Sequence, residues 1–219
     1  MTFCGRRDRT VSAMRAHGLG LLFLFAALAV QAAASPLDDL LPRAAGKTAC
    51  FSRVYDQAHL RAHPKQTTSA MTVWLRYDQP DPKIAAGLQI NLALTRRGEA
   101  EPLFAQGGCA WVEGGNRDVQ GRPVVKSFKK NAGADCLMTA RPDVFDVVSA
   151  EEGGELVIDR GQDADTLMVY LDDGLTMVKR ADRAKGLDVR FGTDDRVFLL
   201  HRADAKVCEF VEQALSRQR

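Results

Sequence analysis

The sequence predicts an all-β fold: an antiparallel barrel or sandwich of about 8–10 short strands, with a short helical turn near 56–63 and a C-terminal helix at about 204–217. Three observations carry that expectation. Apolar residues alternate with a period of two, most cleanly in "GLQINLALT", where Leu88, Ile90, Leu92 and Leu94 share one face. Turn-forming clusters ("RRGE", "EGG", "DDG", "GTDD") punctuate the chain at short intervals. Several strands, such as "TLMVYL" and "RVFLL", are apolar on both faces, which favours a closed barrel or a covered sandwich over one open sheet.

In chain order, the strands are expected at 49–55, 71–78, 87–95, 109–113, 135–140, 155–160, 166–171, 175–179, 187–191 and 196–202. "MTVWLRYD" places Met71, Val73, Leu75 and Tyr77 on one side. "DDGLTMVKRAD" and "DDRVFLLHRAD" share their leading aspartates and their closing Arg-Ala-Asp. Two copies fall short of a solenoid and read as two strands entered by similar acidic turns. "ADAKVCEFVEQALSRQ" has helical spacing, with Asp204 as N-cap and Val207, Phe210, Val211, Ala214 and Leu215 as its apolar stripe.

Residues 1–34 read as a signal peptide. Gly18–Val30 is apolar throughout, arginines precede it and Ala32-Ala33-Ala34 follow it as a cleavage site before Ser35. Met14 is a second candidate initiator. The run is too short for a comfortable membrane span, so no stable anchor is expected after cleavage. Residues 35–47, with Pro36, Pro42 and Gly46, read as a flexible lead-in, and 48–219 as a single β-rich domain. The leader holds Arg6, Arg7, Arg9 and Arg15 against Asp8, so the remainder has 26 basic and 27 acidic side chains, net −1. That balance lacks the footprint of a nucleic-acid binder.

Without Cys4, four cysteines remain, an even number that reads as two disulfides in an exported chain. Cys109–Cys136 is expected as a local staple, and Cys50–Cys208 as a tie between the first strand and the last helix. No pair has redox C-x-x-C spacing.

"YDQAHLRAHPKQ" is the most suggestive stretch. On a helix, Asp56, His59 and His63 fall on one face, a workable ligand set for zinc or copper, with His201 available if the fold brings it near. Pro64 opposes this by pushing His63 out of the helical region. The competing expectation is a structural corner: strand, short helical turn, strand, with the histidines hydrogen-bonded. The run "ACFSRVYDQAHLRAHPKQ" resembles the front of small secreted bacterial proteins to which no activity is assigned. The resemblance covers this segment alone and implies no activity.

Other chemistry is weakly signalled. Ser52, Ser69, Ser127 and Ser149 lack a nucleophile elbow. The acidic pairs Glu151-Glu152, Asp172-Asp173 and Asp194-Asp195, and "GQDADT", read as solvated turns, and "GGNRDVQG" is a poor calcium-loop echo. No dinucleotide or phosphate-loop fingerprint is present. The expectation is therefore an exported, non-catalytic, disulfide-bonded domain, periplasmic or secreted, that requires no cofactor. It would bind a small ligand in a barrel mouth or cleft, or an envelope or extracellular protein in the manner of an inhibitor. The alternatives are a metal-binding protein or metalloenzyme built on Asp56, His59 and His63, and a hydrolase using an unrecognised serine or carboxylate pair.

Overall fold

The computed structural model describes residues 36–78, 87–111, 133–139 and 153–215, all within one compact unit. The signal peptide, Ser127, Ser149, Glu151-Glu152 and "GGNRDVQG" lie outside the described residues. The strands are β1 (Thr48–Val54), β2 (Thr68–Tyr77), β3 (Leu88–Arg96), β4 (Leu103–Trp111), β5 (Ala134–Met138), β6 (Glu155–Arg160), β7 (Thr166–Leu171), β8 (Gly174–Lys179), β9 (Asp182–Arg190) and β10 (Val197–Arg202). Helix α1 spans Gln57–Ala62 and α2 spans Ala205–Leu215.

Eight strands close into an antiparallel barrel: β1 to β4 in sequence, then β5, β6 and β7, with β10 inserted between β7 and β1. Strand β4 divides its edge. Leu103 and Phe104 pair with β8, whereas Gly107–Trp111 pair with β5. A β-carbon at Gly107 would stand 2.5 Å from the Leu137 carbonyl oxygen, so only glycine fits where β5 leaves the ladder. The β8–β9 hairpin continues the sheet beyond that point, and its Leu175, Met177 and Val189 join the barrel core.

The period-two residues face inward as the sequence predicts. Met71, Val73, Ile90, Leu92, Leu156, Ile158, Leu167, Val169 and Leu200 are all buried, and Phe51 and Phe198 complete the packing. An eight-stranded barrel is just wide enough for its side chains to fill. The expected polar face of β3 is partly dry, because α2 packs on it. Val211, Ala214 and Leu215 cover Ala93, Phe104 and Val178. Asp204 caps α2 by accepting the Lys206 N–H at 2.9 Å. The helix is rotated from the expected stripe: Cys208 faces the wall and bonds to Cys50, while Val207 and Phe210 stand in solvent.

The second disulfide joins Cys109 to Cys136, directly opposite one another on β4 and β5 with both residues buried. Both expected pairings are thus present.

Three expectations need correction. Over residues 36–41 the flexible lead-in is a docked plug. A 3₁₀ turn, Pro36–Asp39, presents Leu37, Leu40 and Leu41 to Leu75, Tyr77 and Leu88 at one end of the barrel. Arg160 pairs with Asp39, and the Arg202 guanidinium donates to the Leu40 carbonyl at 2.8 Å. The three leucines outweigh the prolines, because burying them seals the barrel end. Strand β4 begins at Leu103 rather than 109, and β9 at Asp182 rather than 187.

Candidate functional site

Two places gather the residues that suggest chemistry. The first is the corner between β1 and β2. Asp56, extended at φ −72° and ψ 168°, is the N-cap of α1; its Oδ1 accepts the His59 N–H at 2.7 Å. Leu60 anchors the helix in the core. The helix stops at Ala62, and His63 has left the helical region (φ −118°, ψ 71°), as Pro64 requires.

The rings then stack. Tyr55 and His59 have centroids 4.6 Å apart, and His59 and His63 4.4 Å apart at an interplanar angle of 27°. The Arg53 guanidinium lies 4.7 Å from the Tyr55 ring centroid. His59 Nε2 is 3.0 Å from Gln66 Oε1, while Gln66 Nε2 donates to the Thr68 carbonyl at 2.7 Å. Because the Gln66 amide nitrogen is spent on a carbonyl, its oxygen must accept, and His59 Nε2 carries the hydrogen. Beneath this, the fully buried Asp195 accepts from Thr67 N at 2.7 Å, Thr67 Oγ1 at 2.8 Å and Thr68 N at 2.9 Å. Burial pushes the Tyr55 hydroxyl up to about 12; Arg53 opposes the rise and Asp195 adds to it.

The four candidate metal ligands are therefore distributed as follows. Asp56 caps a helix, His59 holds Gln66, and His63 stacks on His59. His201 is exposed on β10, opposite Ser52 and Thr166. Among the described residues, no three His, Cys, Asp or Glu side chains converge as a metal-ligating group. The acidic turns also have local roles. Asp163 accepts the Asp165 N–H at 3.0 Å, and Asp173 pairs with Arg196.

The second place is a groove of about 590 Å³ between the β3–β4 turn and the β8–β9 hairpin. Leu187 is half-buried and Leu103 and Val189, which belong to the barrel core, back it, while Arg96, Glu99, Glu101, Lys179 and Asp188 supply charge. Its volume lies within the range of ligand-binding clefts. The turn is fixed to the histidine corner, because Arg97 N–H donates to the Thr67 carbonyl at 2.7 Å and its Nη1 to the Gln66 carbonyl at 3.2 Å. Strand β9 ends the sheet; among the described residues nothing pairs with its outer edge. In the sequence, "RRGE" signals a turn only. The groove is assembled from segments some eighty residues apart, and no local pattern announces it.

No protein-family model, curated protein or solved structure matches this chain. Among the described residues, no helix is long and apolar enough to cross a membrane.

Proposed function

We propose that this protein is an exported, non-catalytic binding module that holds an extended segment of an envelope or extracellular protein in the groove between the β3–β4 turn and the β8–β9 hairpin. The observation that carries the reading is the groove itself, lined by the half-buried Leu187 and by charged side chains, beside a strand edge that no described residue pairs and whose backbone groups can accept a further strand. The small-ligand alternative loses its natural compartment, because the barrel interior is filled by Phe51, Met71, Leu92, Ile158 and their neighbours. Export is supported by the leader-like sequence of residues 1–34 and by the two disulfides.

The test has two arms. N-terminal sequencing of the protein recovered from the periplasm or medium is expected to begin at Ser35; an intact leader on cytoplasmic protein would refute export. A displayed library of extended peptides, screened against the mature chain, is expected to yield binders that are lost in Leu187→Asp. Binders indifferent to that substitution, with the variant's melting temperature unchanged, would move the site elsewhere.

A further inference from the structure

The tip of the β8–β9 hairpin is a local excess of positive charge. Lys179 ends β8, Asp182 begins β9 opposite it, and Arg180-Ala181 make the turn between them. The segment 179–185 reads "KRADRAK", with Asp182 as its single acid. The facing β3–β4 turn adds nothing to the balance, since Arg96 and Arg97 offset Glu99 and Glu101. Other arginines are neutralised locally: Arg43, Arg76, Arg160, Arg190, Arg196 and Arg202 each hold an aspartate. Lys179, Arg180 and Lys185 are exposed, and among the described residues none of them has an ion-pair partner. Arg183 ties the tip to the end of α2, where its guanidinium donates to the Leu215 carbonyl at 2.8 Å. An exposed aromatic ring accompanies the cations. Phe210 on α2 is 36% exposed, and its ring lies 6.2 Å from that of Phe104. Phe104 is the cross-strand partner of Val178, the residue before Lys179. Around Phe210, Glu209 is offset by Lys206, and Glu212 lies 3.5 Å from Arg76.

We propose that the hairpin tip, with Phe210 beside it, docks reversibly on an anionic lipid surface. Lys179, Arg180 and Lys185 meet the headgroup phosphates, and Phe210 enters the boundary between headgroups and acyl chains. A soluble polyanion would satisfy the cations but make no use of the exposed ring. An anionic bilayer takes both, because basic side chains and an aromatic one are what its interface attracts. Each cation within a Debye length of such a surface raises the partition by about fivefold, so the three together give about a hundredfold. The inference does not depend on what the groove holds.

The experiment sediments the full mature chain with vesicles of phosphatidylcholine alone or of phosphatidylcholine mixed with phosphatidylglycerol. Binding to the mixed vesicles only is expected, and raising the salt should release it. Arg180→Gln should weaken the partition by about fivefold, and Lys179→Gln, Arg180→Gln and Lys185→Gln combined by about a hundredfold. Lys47 is an exposed cation at the plugged end of the barrel, where its carbonyl accepts the Tyr77 N–H, and Lys47→Gln should stay within about twofold of wild type. Phe210→Ser should cost about fivefold. The melting temperature of each variant checks that it is folded. Equal binding to the two kinds of vesicle, binding to neither, wild-type partition of Phe210→Ser, or equal losses in Lys47→Gln and Arg180→Gln would overturn the proposal. So would retention on immobilised heparin by a chain that ignores both vesicles, since the tip would then serve a soluble polyanion.

Discussion

Replacing Asp195 with asparagine tests whether the corner is held by a buried carboxylate. Asp195 sits in the 3₁₀ turn Thr193–Asp195, completely shielded from solvent, and each oxygen is committed. One accepts two hydrogen bonds from Thr67, the other accepts the Thr68 N–H. An asparagine has a single acceptor oxygen. Its better orientation keeps the two Thr67 bonds and turns an NH₂ group toward the Thr68 N–H, leaving two donors facing each other. One buried N–H loses its partner, at about 1–3 kcal/mol, and the remaining bonds lose their charge assistance, for a total near 2–4 kcal/mol. For a domain of this size that lowers Tm by about 4–16 °C. Urea denaturation followed by far-UV circular dichroism, with an unchanged denaturant slope, measures it. Asp195→Ala strands all three donors and should cost more than the asparagine variant. A shift within about 0.5 kcal/mol for Asp195→Asn would show that the clasp contributes nothing and that the corner is held by packing alone.

Removing Cys50–Cys208 by paired serine substitution should cost more than removing Cys109–Cys136. The spans of 158 and 27 residues correspond to about 5 and about 3.5 kcal/mol of denatured-state entropy. Equal denaturant midpoints for the two double variants would contradict that model. Stability should fall in alkali. With the folded Tyr55 hydroxyl at about 12 against 10.0 unfolded, its contribution is complete below pH 10 and is lost as pH rises through about 12, by at most about 3 kcal/mol. Burial raises Tyr77 in the same direction, so Tyr55→Phe should flatten the decline between pH 9.5 and 11.5 without abolishing it; an unchanged slope would refute the assignment. His59→Ala leaves the buried Gln66 oxygen without its donor and removes the central ring of the stack. A loss of about 1–2 kcal/mol in urea is expected, and wild-type stability would show the stack to be incidental.

Much of the fold is legible along the chain, because inward-facing side chains in a filled barrel must alternate. Leu88, Ile90, Leu92 and Leu94 announce β3 without any tertiary information. Legibility fails where a residue answers to a non-local neighbour. Pro102 and Gly107-Gly108 look like strand breakers, yet Gly107 sits within β4 because the Leu137 carbonyl needs the space. The stripe of α2 is misplaced for a similar reason: the bond from Cys208 to Cys50 sets the rotation, and Val207, which fits the periodicity, is left outside. At the corner, the spacing of His59 and His63 is visible, but the residue that gives His59 its role is Gln66, which carries no metal or catalytic signal. The groove is least legible of all, since Glu99 and Lys179 come to line one surface only after β8 docks on β4.

The closing seam of the barrel explains why so many side-chain ties gather in one region. Strands β1 and β10 share only the pairs Phe51–Arg202 and Ser52–His201, whereas β2 and β3 are paired along most of their length. A ladder that short cannot hold a wall by backbone bonds alone. On one side of it, Cys50 is bonded to Cys208, in the helix that follows β10 directly, and the Ala203 N–H donates to the Cys50 carbonyl at 2.9 Å. On the other side, where the strands part, the Arg53 guanidinium reaches across to the Leu199 carbonyl at 3.1 Å and lies over Tyr55. Asp195, just before β10, grips the start of β2. Helix α1 sits at this same end, where its His59 stacks on Tyr55 and His63, just past the helix, stacks on His59. The corner therefore belongs to the closure of the barrel, and the groove wall that Arg97 ties to it inherits its rigidity. The binding surface proposed on the β3–β4 turn would depend on that anchorage, because a turn without it would have to be ordered at the cost of binding free energy.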